Sequence, residues 1–397
     1  MKYASIVDRL AGLGGAKWEL HIRAGELAAA GRDIIDLTIG NPDVPTAPDL
    51  IDTAAAAMRA GRTAYSDGRG ETNLRAALSA RYTARVGRPI GPDQFLCLPG
   101  TQTALYTVLT GLTETGDEVL VGDPMYATYE GIIAASGARV VPVPLRPENG
   151  FRIAAADIAA RITPQTRAIL LNTPHNPTGA VLTAQDIAEI GALAIRHDLW
   201  LLVDEVYEEL VFDGVTFTSP LANPDLADRV VVMSSISKSH AAPGFRSGWC
   251  VGPADFTTRL LPLSETLLFG SQPFIADMTA KAVATVSVTA QNMARRFARR
   301  ADLMERKLSN AAGLTVHKPD AGMFALIDIS ATGLDDHDYA LDLLERHGVA
   351  VMPGTSFGTS LAGWVRVALT VEDTTLDRAC DRIVTHANSF HKVGIAS

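Results

Sequence analysis

Lys238 sits in the run Ser234-Ser235-Ile236-Ser237-Lys238-Ser239-His240, directly after the apolar stretch 230–233. A lysine at the end of a buried strand, among small hydroxyl residues, is partly desolvated. Desolvation and neighbouring cations lower its pKa and leave a neutral amine able to form a Schiff base with a carbonyl. Eight residues on, Pro243-Gly244-Phe245-Arg246 brings a guanidinium. Together with Ser235 and Ser237 it supplies what a bound phosphate needs. A lysine in a serine-rich turn is by itself an ordinary solvated residue, so the weight of this reading rests on its neighbours in sequence.

Three further segments have the right chemistry. Leu201-Leu202-Val203-Asp204 ends an apolar run on a carboxylate, and Tyr207 follows three residues later. A lone Asp there reads as a helix N-cap, yet a carboxylate in that place can also hold a protonated ring nitrogen. Asn172-Thr173-Pro174-His175-Asn176-Pro177-Thr178-Gly179 is a rigid turn after the run 168–171. It offers the Asn176 amide to the ring oxygen that Tyr207 could reach. Pro99-Gly100-Thr101-Gln102-Thr103 stands at a strand-to-helix junction, where backbone N–H groups form a ready phosphate site. Neither G-x-x-x-x-G-K-[ST] nor a helix-opening G-x-G-x-x-G is present, so the phosphate does not point to an NTPase or a nicotinamide enzyme.

The four segments, in this order, resemble the class I/II pyridoxal-phosphate aminotransferases, the fold-type-I enzymes related to aspartate aminotransferase. The spacings agree: Asp204 follows Asn176 by 28 residues and precedes Lys238 by 34. The resemblance spans essentially the whole chain. It implies pyridoxal 5'-phosphate as cofactor and Lys238 as the Schiff-base lysine. It implies Asp204 as partner of the pyridine nitrogen, with Asn176 and Tyr207 as partners of the ring 3-oxygen. Ser235, Ser237, Arg246, Thr101 and Gln102 resemble the phosphate cup. Tyr126 resembles the aromatic residue stacked on the ring, and Tyr65 a tyrosine donated to the phosphate by the other subunit of a homodimer. Arg366 resembles the arginine that grips the substrate α-carboxylate, with Gly40, Asn176 and Trp18 on the substrate side. Lys238, Asp204 and Tyr207 are the implied catalytic set.

Substrate choice is less explicit. Ala16-Lys17-Trp18-Glu19-Leu20-His21, the run PVPLRPENGF at 142–151, Arg196-His197-Asp198-Leu199-Trp200 and Ser237-Lys238-Ser239-His240-Ala241 are similar to arginine–pyruvate transaminases. This implies a basic amino donor, arginine above all, and a 2-oxo acceptor such as pyruvate, in a ping-pong exchange. Glu19 and Asp67 are candidates to pair a guanidinium bidentately. Arg23 and Arg69 are candidates for a distal carboxylate if the donor is aspartate. Three alternatives stay open: an aspartate or aromatic aminotransferase using 2-oxoglutarate, a carbon–sulfur β-lyase with the same cofactor, and a ligand-sensing regulator. No basic helix-turn-helix supports the last.

The elements that must position these residues follow from hydrophobic patterning. Short apolar runs at 95–98, 118–121, 139–143, 168–171, 201–203 and 230–233 alternate with helical stretches, one of them 187–197. That order predicts α/β, a mostly parallel sheet flanked by helices, with ligands beyond the carboxyl ends of the strands. From 277 to 308 the chain reads as one or two long helices, with Arg295, Arg296, Arg299 and Arg300 on a solvated face. Beyond lies a smaller α+β unit: a strand within 322–329, a helix at 338–347, strands at 349–352 and 364–368, and a helix at 374–389. The first 45 residues read as an arm plus a strand. The expected division is 1–45 as the arm and part of the small domain, 46–285 as the large cofactor domain, and 286–397 as the small domain.

Composition bounds the rest. The chain has 397 residues, with 35 Lys+Arg against 44 Asp+Glu and a net charge of −9, which argues against nucleic acid. Three separated cysteines, Cys97, Cys250 and Cys380, lack metal-ligand spacing and suit a reducing cytoplasm. No segment reads as a signal peptide or a membrane anchor.

Overall fold

The structure is a computed structural model that describes residues 1–13, 15–309 and 311–391. Its strands in chain order are β1 (Ile35–Asp36), β2 (Phe95–Leu98), β3 (Glu118–Asp123), β4 (Arg139–Pro144), β5 (Thr166–Asn172), β6 (Trp200–Asp204), β7 (Val230–Ser235), β8 (Gly248–Val251), β9 (Thr315–His317), β10 (Phe324–Asp328), β11 (Val349–Ala350), β12 (Met352–Pro353) and β13 (Trp364–Ala368). Seven of them form the main sheet in the order β2-β8-β7-β6-β5-β3-β4. β3 through β7 run parallel to their neighbours in that group, whereas β8 is antiparallel to both β2 and β7. Residues 118–123 and 230–235 are buried throughout, as expected for strands covered by helices on both faces.

Register decides what meets at the carboxyl edge of this sheet. Asn172 at the end of β5 is paired with Asp204 at the end of β6, and Asp204 is paired with Met233 of β7. The helix Gly100–Leu112 springs from β2, and the short helix Ile236–Ser239, which carries Lys238, springs from β7. The helix Pro273–Val283 packs against Pro48–Arg59 and Thr72–Val86.

The remaining strands build a second unit. A four-stranded antiparallel sheet has the order β12-β13-β10-β9, and β1 pairs in parallel with β11. One hydrophobic cluster joins Leu20, Leu27 and Leu37 from the N-terminal segment to Phe297, Leu343 and Ile383 from the C-terminal segment. No helix among the described residues is long and apolar enough to cross a membrane. The three cysteines are buried and unbridged.

Several expectations are corrected. The stretch 349–352 is not one strand. β11 and β12 belong to different sheets, and the hydrophobic run is unbroken because both are buried. The arm contains a helix, Glu19–Ala29, that buries Leu20, Ala24 and Leu27. The flanking glycines had masked this helical period. β8 has no counterpart in the sequence reading. The arginine cluster is not simply a solvated face. Arg300 is buried, pairs with Asp43 at 2.7 Å and Asp373 at 2.7 Å, and donates to the Leu369 carbonyl. Arg296 also pairs with Asp43, at 2.9 Å. Both turn inward because the helix Val288–Leu308 presents them to the segment just after Asn41-Pro42.

Candidate active site

A cavity of about 210 Å³ opens beyond the carboxyl ends of β5, β6 and β7. On one side lies the start of the helix Gly100–Leu112. The Thr101 hydroxyl there is buried without a hydrogen-bond partner, and Gln102 accepts from the Thr128 hydroxyl at 3.0 Å. Ser235 and Ser237 line the same wall, with the Ser237 amide donating to the Ser235 hydroxyl at 3.3 Å. Arg246, exposed to solvent, donates to the carbonyls of Pro243 at 2.8 Å and Pro99 at 3.3 Å. Gly100 has φ +82°, and a Cβ there would come within 2.3 Å of the Arg246 guanidinium. Only glycine permits this close approach of a helix start to the cation.

Lys238 and Asp204 occupy the floor. The Lys238 amine donates to the Gly40 carbonyl at 2.8 Å. Burial, reinforced by the Arg366 and Arg246 charges, brings its pKa down to about 8. Asp204 is buried and accepts from the Tyr129 hydroxyl at 2.8 Å and the Val206 amide at 3.1 Å. Burial pushes its carboxyl up to about 6, against the pull of those two donors and of Lys238. At neutral pH it remains mainly ionised, and any adjacent cation holds it further in that form. The Asn172 amide donates to the Asp204 backbone carbonyl at 3.0 Å, while the Asn172 side-chain oxygen accepts from the Asn176 amide N–H at 2.8 Å. Tyr207 and Asn176 are side-chain neighbours, and burial drives the Tyr207 phenol far above its ordinary pKa. Tyr126 closes this wall and meets Tyr129 edge-on at 5.5 Å.

Arg366, from the middle of β13, enters from the second unit. It donates to Asn176 Oδ1 at 3.1 Å and to the Thr38 carbonyl. Its Nε is buried without a partner. Burial pulls the guanidinium down to about 9, so it is still protonated at neutral pH. Trp18, Ile39 and Gly40 from the N-terminal segment, with Leu105 and Phe324, complete the lining.

Residues 32–383 match the aminotransferase class I and II family. The chain is 43% identical over 383 residues to the arginine–pyruvate transaminase of Pseudomonas aeruginosa, covering 96% of this chain and 97% of that protein. It is 32% identical over 361 residues to an aromatic-amino-acid aminotransferase of Thermococcus litoralis, covering 90% and 92%. A double mutant of Thermus thermophilus aspartate aminotransferase superposes with a TM-score of 0.91 at 29% identity, covering 97% of this chain and 100% of that one. The chain belongs to the class I and II aminotransferases. It is a pyridoxal-phosphate-dependent enzyme of fold type I that exchanges amino groups between amino acids and 2-oxo acids.

The residues present in this aminotransferase fit that cofactor. The unpartnered Thr101 hydroxyl, the Ser235 and Ser237 hydroxyls and Arg246 suit a phosphate. The amine of Lys238 suits an aldehyde, and the buried Asp204 carboxylate suits a ring cation. Of the residues singled out from sequence, Lys238, Asp204, Asn176, Tyr207, Tyr126, Thr101, Gln102, Ser235, Ser237, Arg246, Arg366, Gly40 and Trp18 all line the one cavity.

Others lie elsewhere. Tyr65 is 87% exposed against Phe269, outside its own chain's cavity. Glu19 stands 3.7 Å from His337, and Asp67 faces Arg75 at 3.8 Å; neither lines the cavity. Arg23 is committed to Glu345 and Glu26, and Arg69 donates to the Asp93 carbonyl and to Thr257 and Thr258. Sequence reasoning missed Tyr129, Asn172, Thr38 and Phe324. For Tyr129 a signal existed, since it lies three residues after Tyr126 at the start of a helix. Phe324, at the start of β10, and Thr38, just after β1, come from distant parts of the chain and carried none.

Proposed function

We propose that this aminotransferase takes its amino group from arginine or another basic L-amino acid and passes it to a 2-oxo acid such as pyruvate, in a ping-pong cycle. The carrying observation is the charge of the cavity wall. Besides Lys238, Arg246 and Arg366, no lining residue among those described is cationic, so this chain offers no further arginine to a distal carboxylate. The 43% identity to an arginine–pyruvate transaminase supports the same reading. Guanidinium recognition by Glu19 or Asp67 is not part of the proposal, because both stand outside the cavity.

When bound, pyridoxal phosphate supplies the aldehyde carbon that receives the amino group and the ring that draws off the electron pair left at Cα. Lys238 would anchor it through its amine, and the same amine, when free, would be the base that moves the Cα proton. Asp204 is the partner of the ring nitrogen, kept ionised by that cation. Tyr207 and Asn176 serve the ring oxygen, and Tyr126 its face. Thr101, Gln102, Ser235, Ser237 and Arg246 hold the phosphate. Arg366 takes the α-carboxylate by paired N–H donors and so fixes which substituent of Cα faces Lys238. Gly40 and Trp18 line the substrate side.

The enzyme works as a cytoplasmic homodimer, in which Tyr65 reaches the phosphate of the partner's site. Its exposure beside Phe269, and three buried unbridged cysteines, support this. The test is turnover of arginine against aspartate, each with pyruvate and with 2-oxoglutarate. Arginine with pyruvate is expected to lead, and a large margin for aspartate would refute the assignment. Lys238→Ala should lose the visible absorbance of the bound cofactor together with transamination.

A further inference from the structure

Arg366 is 2% exposed and forms no ion pair among the described residues. A buried cation without a counter-ion is costly unless other groups compensate its lost hydration. Two neutral oxygens, of Thr38 and Asn176, take part of that role. Two aromatic rings take the rest. The guanidinium carbon sits 3.9 Å from the ring centroid of Phe324 and 4.3 Å from that of Phe357, well within the range in which a ring face attracts a cation.

Both rings are fixed by backbone. Phe357 is buried, its carbonyl accepts from the Met125 amide at 2.7 Å and its amide donates to the Gly354 carbonyl at 2.9 Å. Phe324 abuts Gly40, where a Cβ would come within 2.3 Å of the ring. The two differ in one respect: Phe324 lines the cavity and Phe357 does not. Phe357 therefore has access to the substrate only through Arg366.

We infer that Phe357 is a positioning residue whose ring face holds the Arg366 guanidinium in place without neutralising it, and thereby sets affinity for the α-carboxylate of donor and acceptor alike. A carboxylate in that position would compete with the substrate for the same N–H groups. A ring attracts the cation through its face and leaves those groups available, among them the unpartnered Nε. The inference rests on Arg366 being the carboxylate receptor. An interaction that serves ground and transition state equally acts on KM rather than on kcat.

The experiment uses holoenzyme in which Phe357 is replaced by mono-, di- and trifluorinated phenylalanine. This drains the ring face of electron density at nearly constant shape and keeps the fold intact. KM for the amino acid and for the 2-oxo acid should rise in step along the series, reaching about five- to thirty-fold. The rise should leave kcat within about two-fold and the cofactor absorbance unchanged. Single-turnover reaction with a carboxylate-free alkylamine should not change. A flat KM across the series overturns the inference, and so does an equal loss with the alkylamine, which marks a general structural role. Arg366→Lys in the same assay separates the two levels. If it fails to raise KM for carboxylate substrates, the role of Arg366 itself falls. If it raises KM while the fluorinated series stays flat, only the role of Phe357 falls.

Discussion

Replacing Asp204 by Asn should stabilise the cofactor-stripped protein at alkaline pH while abolishing its activity. Burial raises the Asp204 carboxyl from 3.8 to about 6. A carboxyl whose folded pKa lies above its unfolded value favours folding only while it is protonated. That contribution is complete below about pH 4 and is lost as pH rises through 6. Above that window the ionised group carries a penalty of roughly 3 kcal/mol relative to a neutral one. Asn removes the penalty but weakens the hydrogen bonds from Tyr129 and Val206, by about 1 kcal/mol. The net gain is therefore about 2 kcal/mol at pH 8. Near pH 4 it should vanish or change sign.

With 397 residues, the entropy of unfolding is roughly 0.8 kcal/mol per kelvin, so the gain corresponds to about 2–3 °C in Tm. Differential scanning calorimetry of stripped parent and variant at several pH values measures it. The same variant should lose roughly a hundred-fold or more in transamination, the scale on which removing one preorganised charge acts. On the proposed pairing of Asp204 with the ring cation, adding pyridoxal phosphate should raise the parent's Tm more than the variant's. A variant less stable than the parent at pH 8, or a difference independent of pH, would refute the claim that this carboxylate is held against its own desolvation.

Two further outcomes follow from the same electrostatics. Because Lys238 is brought down to about 8, capture of pyridoxal phosphate by stripped protein should slow about ten-fold per pH unit below 8 and level off above it. Arg366→Leu removes a nearby cation and should move that profile to higher pH. Stopped-flow absorbance reads both, and a profile flat from about pH 6 to 9 contradicts the assignment. Arg300→Leu leaves the mostly buried Asp43 with Arg296 alone and should destabilise the fold by about 2–3 kcal/mol. Asp43 has a lowered carboxyl pKa in the fold, so this loss should be complete above about pH 4 and shrink as pH falls through the folded pKa, as calorimetry at the two extremes would detect.

Much of the architecture was legible because its strands are buried on both faces and therefore read as continuous apolar runs. β2 and β13 match the expected bounds, and β5, β6 and β7 extend one or two residues beyond them. At the carboxyl ends the extra residues are the polar ones, Asn172, Asp204, Ser234 and Ser235, that the apolar pattern left out. Where reading failed, long-range pairing had overridden local pattern. β8 inserts antiparallel between β2 and β7, a placement that nothing in its four residues announces. β11 and β12 part company because one answers β1, more than 300 residues earlier in the chain, and the other answers β13.

The site divides along the same line. Residues contributed by the edge of one sheet, from Thr101 to Arg246, come as strand-end segments with fixed spacings, and apart from Asn172 and Tyr129 the polar ones that line the cavity were singled out from sequence. Of those that reach it from the second unit and the N-terminal segment, Arg366, Gly40 and Trp18 were singled out by motif, and the side chains around Arg366 were not. Phe324, Phe357 and Thr38 have no local mark of function: Phe324 lies in a hydrophobic strand and reads as core, and Phe357 and Thr38 lie in turns. Their role exists only because β13 delivers Arg366 between them and Asn176. The net charge of −9 is equally silent here. Most acids sit in ion pairs elsewhere in the chain, whereas the cavity gathers Lys238, Arg246 and Arg366 around one carboxylate. Burial then moves that carboxylate and the lysine toward each other, Asp204 up to about 6 and Lys238 down to about 8. Both groups thus titrate within about a unit of neutrality, where a proton can be held by one state and released by the next. Desolvation produces this poise, and it arises only when the two units close around the strand ends.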